Sequence, residues 1–315
     1  MKLIIQIPCH NEAESLAKTV TELPHKLAGF DEIEYLVVDD GSTDTTVEVA
    51  RGLGIHHIVA LPVHRGLARA FEAGLRAALE QRADVIVNTD ADNQYCAADI
   101  SSLVGPILRG EADMVVGARP IEQIRHFSAL KKLLQRLGSW AVRRASRTDV
   151  PDATSGFRAF SREAAQRLNV FSDYTYTLET IIQAGRSDMI VKSVPVRTNV
   201  PLRESRLIKS TPGYIWRSLL TIVRVFILYK PLRFFLFLGS LFFGAGFLLG
   251  LRFTYYYLMG QGEGKVQSLI LAAVLLLMGF QLGIVGLLSD LIATNRRILE
   301  EWQARQRGWQ ERLRR

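Results

Sequence analysis

Five short runs rich in β-branched and apolar residues punctuate the first half of the chain: Leu3–Ile7, Ile33–Val38, Ile55–Leu61, Val85–Asn88 and Met114–Val116. Their length and composition predict strands. Between them, Glu12–Leu27 and Gly66–Gln81 carry apolar residues at helical spacing. The alternation predicts βαβ units with right-handed crossovers, hence an α/β, Rossmann-like domain with a mostly parallel sheet and flanking helices. Beyond Tyr229 the pattern changes. Phe234–Leu251 and Val266–Ser289 contain no charged residue, and each is long enough as a helix to cross about 30 Å of hydrocarbon. The connector Gly260–Lys265 is short, so the two form a hairpin. Ahead of it, Tyr214–Phe226 reads as an interfacial helix with Arg217 and Arg224 on one face. The expected organisation is a catalytic-type domain over 1–210, an amphipathic segment over 211–232, a two-span hairpin over 233–290 and a basic tail over 291–315.

Charge orients this arrangement. Arg217, Arg224, Lys230 and Arg233 precede the first span, and Arg296, Arg297, Arg305, Arg307, Arg312, Arg314 and Arg315 follow the second. The connector offers Lys265, beside Arg252. The positive-inside rule then predicts a multi-pass membrane protein with its N-terminal domain and tail in the cytoplasm. The net charge over 315 residues, 39 − 31 = +8, is too small and too dispersed for nucleic acid and suits anionic lipid or a phosphorylated substrate. Cys9 and Cys96 offer neither a metal-ligand spacing nor a disulfide framework. The run after Met1-Lys2 is too short for a signal peptide.

In parallel sheets ligands bind beyond the carboxyl ends of the strands. The first strand ends at Pro8-Cys9-His10-Asn11-Glu12, the second at Asp39-Asp40-Gly41-Ser42 and the fourth at Asp90-Ala91-Asp92. There is no Gly-x-Gly-x-x-Gly after the first strand and no Gly-x-x-x-x-Gly-Lys-Ser/Thr anywhere, which removes the usual cradles of dinucleotide and P-loop enzymes. Carboxylates take their place. Asp90 and Asp92 bracket one small residue, an arrangement that suits Mg²⁺ or Mn²⁺ sharing its shell with substrate phosphates. His10, His25, His56, His57, His64 and His126 show no zinc spacing and read as structural or surface residues. Ser155 lies in no Gly-x-Ser-x-Gly elbow. Lys131, Lys132, Arg136, Arg143, Arg144 and Arg147 make either a solvated basic helix face or one turned to a membrane. Glu179 reads equally as a substrate-facing or a helix-surface residue, and Thr43-Asp44 as a helix cap.

The ordered series Ile7-Pro8-Cys9-His10-Asn11-Glu12, Val38-Asp39-Asp40-Gly41-Ser42-Thr43-Asp44, Asp90-Ala91-Asp92-Asn93-Gln94, Gly117-Ala118-Arg119 and Ser155-Gly156-Phe157-Arg158, followed by the hairpin, resembles the family 2 glycosyltransferases with the GT-A fold. Within them it resembles most the dolichol-phosphate mannose synthases and the bacterial polyprenol-phosphate glycosyltransferases with a two-span anchor. That resemblance implies an inverting transfer of a monosaccharide from a UDP- or GDP-linked donor to a polyprenyl or dolichyl phosphate, with Mg²⁺ or Mn²⁺. Pro8, Glu12, Asp40, Asp90 and Ala91 would meet the nucleotide sugar. Asp92 would be the principal metal ligand and a catalytic residue, joined by Asp90 and Gln94. Arg119, also catalytic, would meet the acceptor phosphate with Arg203, Arg206 and Lys209. The segment Leu202–Ser210 departs from the Arg-x-x-Gly-x-Ser-Lys-like pattern of the mannose synthases. The expected partners are the two substrates and the bilayer, without nucleic acid; homo-oligomerisation stays open. A processive polysaccharide synthase would call for more spans and a Gln-x-x-Arg-Trp-like motif. An inactive membrane-tethered scaffold would have little use for Asp40, Asp90, Asp92 and Arg119.

Overall fold

The computed structural model describes residues 1–120, 129–146, 148–170, 176–199, 220, 223–224, 227, 229–260 and 266–313. The expectations for Tyr214–Phe226 fall largely outside these residues, and those for Arg203, Arg206 and Lys209 entirely so. The chain divides into two compact units, the second being Leu220–Trp302.

The first unit is built on seven strands: β1 (Lys2–Cys9), β2 (Glu32–Asp39), β3 (His57–Ala60), β4 (Val85–Asn88), β5 (Met114–Ala118), β6 (Arg158–Ser161) and β7 (Val191–Pro195), in the order β3-β2-β1-β4-β6-β5-β7. Strand β1 is central in the parallel part, pairing β2 from Lys2↔Glu32 to Cys9↔Asp39 and β4 from Leu3↔Val85 to Gln6↔Asn88. The carboxyl ends of β2, β1 and β4 therefore share one edge, as their polar termini predicted. The sheet is mixed, because β6 runs antiparallel between β4 and β5. Neither β6 nor β7 stands out in the hydropathy pattern: β6 opens on an arginine, and β7 is a short half-buried strand with Lys192 and Ser193 at its centre.

Helices cover both faces: α1 (Ala13–Glu22), α2 (Thr46–Gly52), α3 (Leu67–Glu80), α4 (Ile100–Leu108), α5 (Ala129–Ser146), α6 (Arg162–Arg167) and α7 (Thr177–Arg186). On one face Leu3, Ile5 and Ile7 join Leu16 and Val20 of α1 and Leu103 and Val104 of α4 in the core. On the other, α3 lies close over β1 and β2 at Gly74. A Cβ there would stand 2.6 Å from Gln6 Oε1 and 3.0 Å from Val38.

The second unit holds α8 (Pro231–Leu258) and, as far as Trp302, α9 (Val266–Leu313). They run antiparallel and touch through glycine. A Cβ on Gly239 would meet Gly279 O at 2.9 Å, and one on Gly246 would meet Ala272 O at 2.9 Å. Without a hydrophobic drive between apolar helices in lipid, such close approach is what gains packing energy. Their outer faces expose Phe237, Leu248 and Ile292 at 67–69%. Pro231–Leu258 and Val266–Asn295 are candidate membrane spans by length and composition.

Candidate active site

The edge where β1, β2 and β4 end is organised by backbone turns and by carboxylates. After β1, Asn11 takes a left-handed conformation (φ 57°), which asparagine tolerates better than most residues. Its side-chain oxygen accepts from Thr43 N at 2.8 Å, and its own N–H donates to Ser42 Oγ at 2.8 Å. The β1 and β2 turns are thus sewn together. Pro8 and Cys9 are the buried last residues of β1. Glu12, half-buried, accepts from Ser15 Oγ at 2.7 Å, and its N–H donates to Thr46 Oγ1 at 2.9 Å. Asp44 accepts from Thr46 N at 3.0 Å, but the N-cap position of α2 is Thr45.

Asp40 is 2% exposed. Its two carboxylate oxygens accept from Arg65 N at 2.7 Å and Gly66 N at 2.8 Å. It is therefore committed to holding the loop before α3, with lone pairs left over for a further donor. Gly41 makes this closure sterically feasible. Its φ is +65°, and a Cβ there would sit 2.6 Å from His64 N.

Beyond β4 the chain turns through Asp90, Ala91, Asp92 and Asn93, the last again left-handed (φ 56°). Asp92 accepts from Gln94 N at 3.1 Å. Among the described residues no hydrogen-bond donor reaches the Asp90 carboxylate. Burial and the neighbouring charge of Asp92 push its pKa up to about 7. Gly156 packs directly on it, since a Cβ there would lie 2.8 Å from Asp90 Oδ1 and 3.0 Å from Tyr176 Oη. Behind Asp90 runs a buried polar chain. Gln6 Nε2 donates to Asn88 Oδ1 at 2.8 Å, and Asn88 Nδ2 donates to Gly156 O at 2.8 Å and Tyr176 Oη at 3.0 Å. Tyr176 stacks on Phe71 with ring centroids 3.9 Å apart.

Two cations flank the carboxylates, one half-buried and one fully buried. Arg119, at the end of β5, forks onto Asp152 with bonds of 2.7 and 3.1 Å, reaches Thr154 Oγ1 at 2.9 Å and directs Nη1 to Gln94 Oε1 at 3.5 Å. Burial alone would raise the Asp152 pKa, but Arg119 outweighs it and holds the carboxyl below its usual value. Arg158 is fully buried. It donates to Ser155 O, Thr177 O, Thr180 Oγ1 and Ala153 O at 2.7–2.9 Å, and burial lowers its pKa to about 10.

The turn is also pinned from outside. Asn199 N donates to Gln94 O at 2.9 Å, Tyr95 bridges Thr198, and Cys96 N donates to Arg197 O at 3.2 Å. The chain leaving β7 thus passes over Gln94–Cys96 immediately before the basic segment 202–210.

Asp152, Arg158, Asn88, Tyr176 and Gln6 carry no signal by spacing. Only Arg158 belongs to a motif singled out in the sequence, and there without a role. Glu179 is buried at 4%, which removes the helix-surface reading. On α5, Trp140 and Leu137 are exposed at 52% and 44%.

A mixed α/β sheet with a carboxylate pair at the end of its fourth strand defines a GT-A-like fold. The chain belongs to glycosyl transferase family 2, whose family model matches residues 4–168. It is 30% identical over 217 residues to the UDP-N-acetylglucosamine–dolichyl-phosphate N-acetylglucosaminyltransferase of Methanococcus voltae, covering 61% of this chain and 83% of that protein. It is 26% identical over 206 residues to the polyprenol monophosphomannose synthase of Mycolicibacterium smegmatis, with 62% and 76% covered. Among solved structures, the glucosyl-3-phosphoglycerate synthase of Mycobacterium tuberculosis in complex with Mn²⁺, UDP-glucose and phosphoglyceric acid superposes with a TM-score of 0.55 at 22% identity over 71% of this chain and 79% of that one. At that identity the likeness concerns the fold.

Proposed function

We propose that this glycosyltransferase moves a monosaccharide, with inversion, from a UDP- or GDP-linked donor to a polyprenyl or dolichyl phosphate at the cytoplasmic face of the membrane. The observation that carries the reading is the Asp90 carboxylate, desolvated beside Asp92 and without a donor among the described residues. Such a pair calls for a cation. The available donors, Asp90, Asp92 and the Gln94 amide oxygen, are all hard oxygen ligands that fit Mg²⁺ or Mn²⁺. When bound, that ion supplies Lewis-acid neutralisation of the departing nucleotide diphosphate; the solved structural neighbour was crystallised with Mn²⁺ and UDP-glucose.

The chain's own residues do the rest. Pro8, Glu12, Asp40 and Ala91 line the donor side of the strand ends. A lipid phosphate is already an anion, so its oxygen attacks the anomeric carbon without a strong base, while the bond to the nucleotide diphosphate oxygen breaks. What the site must supply is positive charge to hold two anions together. Arg119 provides it at the metal side, oriented by Asp152 and directing Nη1 to Gln94. Arg203, Arg206 and Lys209 supply the acceptor side. Arg203 lies four positions after Asn199, a reach of at most about 14 Å. The relatives named for dolichyl-phosphate and polyprenol acceptors support this class of acceptor. Residues 1–210 would be the catalytic domain, 211–232 an interfacial segment, 233–290 the hairpin and 291–315 the basic tail. The exposed Trp140 and Leu137 favour a membrane-facing α5.

Transfer of radiolabelled sugar from a panel of UDP- and GDP-sugars to one polyprenyl phosphate tests the reading. Label should enter the lipid fraction only with Mg²⁺ or Mn²⁺ present, and Asp92→Ala should abolish it. Undiminished transfer by Asp92→Ala, or transfer in chelator, would refute the metal-assisted mechanism.

A further inference from the structure

None of the six histidines is spaced along the sequence as a metal ligand. Folding brings two of them together. His10 follows β1 and His64 precedes α3, and their rings lie with centroids 4.0 Å apart at an interplanar angle of 32°. Both turn Nδ1 toward Asp40. His10 Nδ1–H donates to the Asp40 carbonyl oxygen at 2.9 Å, and His64 Nδ1 stands 2.8 Å from Asp40 Oδ2. A nitrogen of each ring and a carboxylate oxygen of Asp40 all lie within 4.8 Å of one another.

The cluster is held by backbone. Asp40 is fixed by the amides of Arg65 and Gly66. The His64 main chain is pressed against Gly41, where no Cβ could fit. The Asn11 side chain, oriented by Thr43 N, places its amide 3.4 Å from His10 Nε2. The His64 side chain itself is 57% exposed, held by its 2.8 Å contact with Asp40 Oδ2.

We propose that His10, His64 and Asp40 form a second divalent-cation site, one that takes a Zn²⁺-class transition ion. The donor chemistry separates it from the Asp90/Asp92 turn. Two imidazoles and one carboxylate suit Zn²⁺ or Fe²⁺, whereas an all-oxygen set suits Mg²⁺ or Mn²⁺. Three protein ligands with water in the remaining position is a common open Zn²⁺ arrangement. Binding needs metal–ligand distances of about 2.0–2.2 Å, so the exposed His64 ring must move off its 2.8 Å contact with Asp40 Oδ2 to admit the ion between them. Each imidazole must offer a lone pair, so acid competes with the metal. The two sites lie on opposite sides of the β1 terminus, at the ends of β2 and β4. If Asp40 belongs to the donor end of the cleft, as proposed above, an ion on it opposes donor binding; the metal site itself does not depend on that reading.

The test is isothermal titration of Zn²⁺ into the full-length protein in detergent, free of any polyhistidine tag, with Mg²⁺ in large excess to occupy the oxygen site. One Zn²⁺ per chain should bind. His64→Ala and His10→Gln should each weaken it at least about tenfold, while Asp92→Ala should leave it in place. His64 is exposed, so its variant tests ligation without disturbing the core, and an unchanged thermal midpoint confirms this. The proposal is overturned if no Zn²⁺ binds under excess Mg²⁺, if His64→Ala binds it as tightly as the parent, or if Asp92→Ala abolishes it. None of these outcomes bears on sugar transfer, which is assayed separately.

Discussion

Asp90 carries an electrostatic demand with a measurable sign. Its pKa is raised to about 7, first by burial and then by Asp92. Above the ordinary aspartate value near 3.9 and below about 7, the metal-free folded protein holds a proton that the unfolded chain has shed. The resulting stability is complete at low pH and is lost as pH rises through about 7. Metal binding requires the ionised form, so Mn²⁺ affinity should climb from about pH 5 to about pH 7 and then level off. Electron paramagnetic resonance titration across that range checks this, and Asp90→Asn should flatten the profile. Gly156→Ala probes the same carboxylate from behind. A methyl group 2.8 Å from Asp90 Oδ1 must displace it, and Mn²⁺ affinity should fall by about tenfold or more with little change in fold. At this scale the sequence showed the carboxylates but not what surrounds them. Asp90-Ala91-Asp92 is local and visible, whereas Gly156 and Tyr176 meet it only after β4 and β6 pair. The His10–His64 contact was invisible for the same reason.

Among the elements, β6 is the piece the hydropathy pattern missed, and Arg158 is the reason. A fully buried arginine at a strand start reads as surface, yet it satisfies carbonyls from the loop before β6 and from the first turn of α7. Removing it strands several buried acceptors, each costing about 1–3 kcal/mol. Arg158→Met should therefore destabilise the protein by about 3 kcal/mol or more, read as a lowered unfolding midpoint in detergent. By contrast β1, β2 and β4 were legible, since strands buried on both faces are nearly continuous apolar runs. The long apolar helices were equally legible, but their mutual approach was not. Gly279→Leu should force α8 and α9 apart, because its Cβ would stand 2.7 Å from Phe243 N. Gly250→Leu meets nothing within 4 Å and should be neutral in the same thermal assay.

For the whole molecule, the charge distribution leads to a topological prediction. With basic residues flanking the hairpin and one lysine in its connector, a single cysteine placed in the 260–265 connector should react with an impermeant maleimide from outside intact cells. One placed after residue 300 should react only after permeabilisation. The reverse labelling pattern would invert the proposed orientation.

The hydrogen bonds between Gln94–Cys96 and Arg197–Asn199 have a kinetic meaning. One short antiparallel contact joins the turn that bears the metal-ligand candidates to the chain entering the basic segment. Whatever settles the turn also settles that segment's point of departure, so on the proposed assignment filling the donor end would prepare the acceptor end. The two substrates should then add in a fixed sequence, nucleotide sugar first and lipid phosphate second, with the nucleoside diphosphate leaving last. Inhibition by that diphosphate should be competitive against the donor and noncompetitive against the lipid.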